Sequence, residues 1–183
     1  MKRASLKRVK KKMLMLFFIL CAVVFLIFLT VAFFRIHNSL ESKKDTNLGI
    51  QENTYATIGG IEQYLQIRGE NRDNPVILWL HGGPGFPLSY LTCYYQTVLE
   101  KDYTIVCWEQ RGCGRTFYRS KGDNNPTIEQ LLADIDEVID YLRERFGKDK
   151  IIIMGQSWGT VLGMDYINLH SEKVAAYIGI GQV

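Results

Sequence analysis

The chain has 183 residues, 47% apolar and 22% charged, with 16 Gly and 4 Pro, which excludes intrinsic disorder, collagen and a disulfide-stapled miniprotein. Its formal net charge of +3 averages two unlike parts. Residues 1–12 hold seven basic residues (Lys2, Arg3, Lys7, Arg8, Lys10, Lys11 and Lys12) and no acid, which leaves 15 Lys and Arg against 19 Asp and Glu beyond them, a net of −4. A basic tail on a mildly acidic body argues against a nucleic-acid-binding domain, and no nucleic-acid partner is expected.

Residues 13–34 carry no charge, and Thr30 is their one clearly polar member. At 1.5 Å per helical residue this run reaches roughly 33 Å, enough for a bilayer core. A cleaved signal peptide has a shorter apolar region and ends in a small-x-small site. Here the best such site, Thr30-Val31-Ala32, is poor. The expectation is a single uncleaved transmembrane signal anchor over 13–34, in contact with the bilayer. The basic tail 1–12 then stays cytoplasmic, and the rest of the chain is extracytoplasmic. Cys21 falls inside the anchor. Cys93, Cys107 and Cys113 lie beyond it, and Cys107, in a strand-like apolar run, reads as a buried thiol. No Cys/His spacing suits a metal, so neither a metal nor an organic cofactor is expected. Residues 35–52 are polar and aperiodic and read as a linker.

Residues 53–183, about 130 residues, suffice for one modest domain. Tyr55 to Ile58, a Gly59-Gly60 turn, and the alternating Ile61 to Arg68 predict a β-hairpin. Val76 to Leu80 and Tyr103 to Trp108 are continuous apolar runs, the mark of strands buried on both faces. Leu88 to Leu99 reads as a helix and residues 109–126 as loop. Thr127 to Phe146 is the clearest helix: Ile128, Leu131, Leu132, Ile135, Val138, Ile139, Leu142 and Phe146 follow the 3.6 period. Thr127 and Gln130 form a capping box and Gly147 ends it. Lys150 to Met154 is a strand, Trp158 to His170 a helix and Ala176 to Ile180 an apolar strand. Such alternation predicts an α/β fold with a mostly parallel sheet and helices on both faces.

One motif carries chemistry. Ile151-Ile152-Ile153-Met154 runs into Gly155-Gln156-Ser157-Trp158-Gly159 and then into a helix, which is G-x-S-x-G in the strand–turn–helix setting that makes the serine a nucleophile. Side chains at Gly155 and Gly159 would collide across so sharp a turn. The turn exposes the Ser157 hydroxyl, and the helix that follows aims its first amides at developing negative charge, with Trp158 as one oxyanion donor. Val76 to Leu80 ends in His81-Gly82-Gly83-Pro84-Gly85, a loop whose Gly83 amide is the expected second donor. His81 there reads as a structural hydrogen-bonding residue. Asp134, Asp136, Glu137 and Asp140 read as a solvated helix face. Arg111 reads as a loop-bonding residue, with a substrate ligand as the alternative. Phe86, Tyr90, Tyr94 and Tyr95 either line an acyl pocket or pack their helix on the sheet.

His81-Gly82-Gly83-Pro84-Gly85, then Gln110-Arg111-Gly112-Cys113-Gly114, then Gly155-Gln156-Ser157-Trp158-Gly159, in this order and spacing, resemble the prolyl iminopeptidase-like branch of the α/β-hydrolase superfamily. The resemblance covers residues 54–183 and implies the N-terminal part of an α/β-hydrolase fold. It departs from the branch at Glu109, where Asp is usual, at Thr116, where Ser is usual, and at Gln156, where Gly is usual. The implied activity is that of a serine aminopeptidase acting on a small peptide or amide with a free N-terminal residue, proline among them. Esters and thioesters are the alternative on the same mechanism. Epoxide hydrolysis is disfavoured, because those members carry a carboxylate where Ser157 stands. In this fold the triad acid and histidine follow the nucleophile. After Ser157 come only Asp165, His170 and Glu172. His170 sits about three helical turns away, and His37 is juxtamembrane. The resemblance therefore puts the acid and the histidine beyond Val183. The 183 residues are expected to be a portion of a larger hydrolase, inactive alone, with an anchored non-catalytic binding module as the rival reading.

Overall fold

The computed structural model describes the backbone of residues 2–41, 47–120 and 126–183, with side chains described for 10–37, 47–91, 94–120 and 126–183. It divides into two units, Met1–Lys43 and Lys44–Val183.

The first unit is one helix, α1 (Lys2–Glu41). Its Lys10–His37 stretch is long and apolar enough to cross a membrane. The Thr30 hydroxyl donates to the Leu26 carbonyl at 2.8 Å, so the lone polar side chain of the apolar run is satisfied within the helix. Residues 35–41, expected in the linker, continue this helix. The polar residues there change the composition without supplying a Pro or Gly stop. At the other end of the expected linker, Ile50–Glu52 already belong to a strand, because Ile50 is buried in the core of the second unit. Residues 42–46 lie outside the described residues.

The second unit is built on a six-stranded sheet: β1 (Ile50–Ile58), β2 (Ile61–Gly69), β3 (Val76–Leu80), β4 (Thr104–Glu109), β5 (Ile151–Gln156) and β6 (Val174–Ile180). The strand order is β1-β2-β4-β3-β5-β6. β1 and β2 form the expected hairpin through Gly59 and Gly60, and β2 pairs antiparallel with β4. β4, β3, β5 and β6 are parallel. Side-chain alternation divides the core. Leu78, Leu80, Val106, Trp108, Ile151 and Ile153 point to one face. Ile77, Trp79, Ile105, Cys107 and Met154 point to the other.

The first face is covered by two long helices, α4 (Ile128–Phe146) and α5 (Trp158–His170). Leu131, Ile135, Val138, Ile139 and Leu142 of α4 and Leu162 and Tyr166 of α5 are buried against the sheet. Thr127 caps α4 by accepting the Gln130 amide at 3.2 Å, and Gly147 closes it at φ 59°. The capping box is only half formed, since the Gln130 side chain donates instead to Asp134.

The second face corrects an expectation. Leu88 to Leu99 is not a helix: only the single turn α2 (Thr92–Tyr95) is helical, followed by a 3-10 turn at Leu99–Lys101. Ser89-Tyr90-Leu91-Thr92-Cys93-Tyr94-Tyr95 is poor in strong helix formers, and the Ser89 and Gln96 side chains are bound to buried carboxylates. Ser89 donates to Glu109, and Gln96 donates to Glu100 at 2.9 Å. Residues 109–126 hold a further helix, α3 (Gly114–Ser120), where loop is expected. Its start is stabilised by Glu109 at the end of β4, a residue outside the helix: the Glu109 carboxylate accepts the Arg115 amide, and the Thr116 hydroxyl donates to the Glu109 carbonyl at 2.5 Å. Residues 121–125 lie outside the described residues.

Candidate active site

β5 delivers Ser157 to the sheet's C-terminal edge, and α5 leaves from it. Ser157 holds φ 49° and ψ −121°, the sole positive φ of a non-glycine residue among the described residues. That conformation costs about 1–3 kcal/mol and persists only where surrounding structure imposes it. Here β6 and the first turn of α5 do so. The Ser157 amide donates to the Ile180 carbonyl at 2.8 Å, and the Ser157 carbonyl accepts the Thr160 amide and hydroxyl, each at 2.7 Å. The two flanking glycines are sterically required. A Cβ on Gly155 would stand 2.6 Å from the Gly159 carbonyl oxygen, and one on Gly159 would stand 2.2 Å from the Leu80 carbonyl oxygen. Ser157 itself is exposed.

The loop after β3 lies against this bend. A Cβ on Gly82 would come within 3.2 Å of Ser157 Cβ and 3.8 Å of its Oγ. His81-Gly82-Gly83-Pro84-Gly85 and Gly155-Gln156-Ser157-Trp158-Gly159, 75 positions apart from Gly82 to Ser157, therefore meet. The Trp158 amide is the first of α5, one of the helix N-terminal donors without an intrahelical partner.

His81 is a structural residue. It is 2% exposed, and both ring nitrogens are engaged. Nδ1 lies 2.9 Å from the Gly82 carbonyl oxygen, and Nε2 accepts the Gln110 amide at 3.4 Å. An accepting Nε2 leaves the proton on Nδ1, so the ring is neutral. Burial lowers its pKa from 6.5, against the opposing pull of the Gly82 carbonyl and the Glu109 charge. Cys113 packs on the same ring, Sγ to Nε2 3.4 Å, and burial with the Glu109 charge pushes its thiol up to about 12.

Three networks hold the neighbouring loop. Glu109, buried, accepts from Ser89 and from Arg115, whose Nη1 lies 2.6 Å away. Arg111 donates Nε to Asp134 Oδ2 at 2.9 Å and Nη2 to Asp134 Oδ1 at 3.0 Å and the Gly59 carbonyl at 2.8 Å. Gln63 bridges Asp134 at 2.7 Å and the Trp108 indole at 2.9 Å. The reading of Arg111 as a loop-bonding residue agrees with this. The reading of Asp134 as solvated does not: it is fully buried, because Arg111 and Gln63 reach it from segments that meet α4 only in the fold. Asp136, Glu137 and Asp140 are committed too, to Tyr166 and Lys173, the Gly59 amide, and Arg143 and Lys173 respectively.

Phe86, Tyr90, Tyr94 and Tyr95 are more than half exposed and pack no helix on the sheet, since that helix is a single turn. His170 ends α5, stacked on Tyr166 with ring centroids 4.8 Å apart, about 20 Å along the helix from Ser157. His37 belongs to the other unit. Among the described residues, no group of His, Cys, Asp and Glu could hold a metal ion.

Residues 75–182 match the family described as alpha/beta hydrolase fold. The chain belongs to that family. Within it, the chain is similar to the prolyl iminopeptidase-like branch. It is 35% identical over 127 residues to the "Probable aminopeptidase YbaC" of Bacillus subtilis (strain 168), covering 69% of this chain and 40% of that protein. It is 34% identical over 125 residues to the proline iminopeptidase of Neisseria gonorrhoeae, covering 68% and 38%. The chain thus spans about two fifths of the length of these curated relatives. Among solved structures, a proline iminopeptidase-related protein from Thermus thermophilus superposes with a TM-score of 0.57 at 24% identity, covering 71% of this chain and 44% of that one. Epoxide hydrolase VrEH1 from Vigna radiata superposes at 0.55 and 25% identity, covering 70% and 39%. Both likenesses speak to the fold.

Proposed function

We propose that Ser157 is the nucleophile of a membrane-anchored serine hydrolase of aminopeptidase type, cleaving small peptides or amides at a free N-terminal residue. The observation that carries this is the exposed serine at φ 49° and ψ −121°, wedged between two glycines that tolerate no side chain. Ser157 Oγ attacks the acyl carbon, and the developing oxyanion is held by the backbone amides of Gly83 and Trp158. Loss of one such donor costs ~10²–10³ in turnover. A hydroxyl at this position supports acyl transfer rather than epoxide opening. The names of the relatives support an amide substrate, and esters or thioesters would follow the same steps.

A serine of this kind needs a base and an acid that orients it. His81 is buried and fully bonded, and His170 stands at the far end of α5. That neither histidine is free beside Ser157 supports a base and an acid supplied by the part of the relatives' length that this chain does not span. The basic run 1–12 before the apolar stretch supports a cytoplasmic N-terminus, with the hydrolase unit extracytoplasmic.

The test is release of naphthylamine from L-proline 2-naphthylamide by a form extended past residue 183. Turnover by the extended form, and none by its Ser157→Ala variant or by the 183-residue chain, is the expected result. Equal turnover by the Ser157→Ala variant would overturn the reading.

A further inference from the structure

β1 lies at one edge of the sheet: among the described residues, β2 is its one strand neighbour, and no strand pairs with its outer side. Its nine residues, Ile50–Ile58, run in unbroken antiparallel register against Ile61–Gly69. A free edge of that length is a template for another strand, and proteins ordinarily blunt one with a lysine, a proline or a bulge. β1 (Ile50-Gln51-Glu52-Asn53-Thr54-Tyr55-Ala56-Thr57-Ile58) has none of the three. Its one charge, Glu52, is taken up by Arg145 of α4. The edge is long and regular, and it carries no net charge that would repel a like edge.

The hairpin fixes which backbone groups face outward. A two-residue turn makes Ile58 and Ile61 a pair that exchanges both backbone bonds. Alternation from there turns the N–H and C=O groups of Glu52, Thr54, Ala56 and Ile58 toward β2, and those of Asn53, Tyr55 and Thr57 away from it. This pattern is self-complementary. Thr54 is the middle of the nine residues. When two antiparallel copies are centred there, Asn53 faces Tyr55 of the copy and Tyr55 faces its Asn53. These two pairs alone exchange four backbone hydrogen bonds. Thr54 meets Thr54 of the copy on the two-fold axis with Cα atoms about 4.5 Å apart, a favourable cross-strand pair. Glu52 then faces Ala56 of the copy, so the two Glu52 carboxylates do not oppose each other. A patch that serves both partners alike is what a closed two-fold dimer needs.

We propose that β1 is a self-association edge: two copies of the chain pair antiparallel through Ile50–Ile58, about a two-fold axis at Thr54, into one continuous sheet. The pairing rests neither on Ser157 as nucleophile nor on α1 as an anchor. Anchored copies, confined to one membrane plane, meet at a higher effective concentration.

The full chain in detergent micelles is oxidised with copper phenanthroline, and disulfides are located by peptide mass mapping, which separates them from any made by the four native cysteines. Thr54→Cys is expected to give a dimer linked through position 54, since a Cα separation of about 4.5 Å lies within disulfide range. Thr57→Cys is expected not to link to itself, because position 57 faces position 51 of the copy and stands about 20 Å from its own counterpart. Sedimentation equilibrium in density-matched micelles should give twice the chain mass for the parent. It should give a single chain for Asn53→Pro, which removes an outward N–H and no bond to β2. Thr54→Lys, which sets two like charges across the axis, should do the same. Far-UV circular dichroism checks that both variants keep the fold, and the position-54 disulfide decides the matter if they do not. A parent of single-chain mass, a dimer that persists in the folded variants, or linkage at position 57 in place of 54 overturns the proposal.

Discussion

Asp134→Ala isolates the junction that holds the 109–113 loop against α4. The Asp134 carboxylate is fully buried and accepts from Arg111 Nε and Nη2, from Gln63 Nε2 at 2.7 Å and from Gln130 Nε2 at 3.2 Å. The Arg111 side chain is 5% exposed. Truncating the acid removes the carboxylate that the buried guanidinium grips with two hydrogen bonds, which costs about 3–5 kcal/mol. The Lys44–Val183 unit has 140 residues. At about 2.1 cal/mol/K per residue its unfolding entropy is ~0.3 kcal/mol/K, so Tm falls by ~10–17 °C. The control is Asp140→Asn, which breaks pairs to Arg143 and Lys173 at a side chain 49% exposed and should cost at most ~1 kcal/mol, about 3 °C. The assay is thermal unfolding of the full chain in micelles, followed by circular dichroism. Replacing both partners, Arg111→Met with Asp134→Leu, should recover most of the loss, because the desolvation penalty leaves with the charges. A fall below about 3 °C for Asp134→Ala, or an equal fall for Asp140→Asn, would refute the assignment of a buried, stabilising acid.

Two further outcomes follow from the site. Ser157→Gly relieves a backbone conformation costing about 1–3 kcal/mol, offset by ~0.5–1 kcal/mol of glycine entropy, so Tm should rise by roughly 3 °C, while Ser157→Ala gives no rise; a fall in Ser157→Gly would remove strain from the account. Burial raises the Cys113 thiol from 9.0 to about 12. Above pH 9 the unfolded chain therefore holds fewer protons at this thiol than the folded one, and stability declines as pH rises, by up to ~1.4 kcal/mol per pH unit. Denaturant unfolding of Cys113→Ala should show a flatter alkaline limb than the parent chain, and an equally steep limb would mean that Cys113 is not the group responsible.

The legible parts of the fold are those with local causes. Tyr55 to Arg68 announces its hairpin through alternation around Gly59-Gly60, and α4 announces itself through its 3.6 period, Thr127 and Gly147. The bend at Ser157 is readable because its two glycines stand within two positions of the residue they permit. What sequence hides depends on partners distant along the chain. Asp134 is buried by Gln63 and Arg111, 71 and 23 positions away. The expected helix over Leu88 to Leu99 loses the Ser89 side chain to Glu109, 20 positions away, a competition that periodicity does not register.

The central claim is that the oxygen of Ser157, exposed on a strained strand-to-helix bend, is the attacking atom. Reaction of the extended form with a fluorophosphonate, followed by intact mass and peptide mapping, tests it directly. The expected result is a single adduct on the peptide containing Gly155 to Gly159, absent from Ser157→Ala. An adduct that survives in Ser157→Ala, or one carried by a different residue, would contradict it.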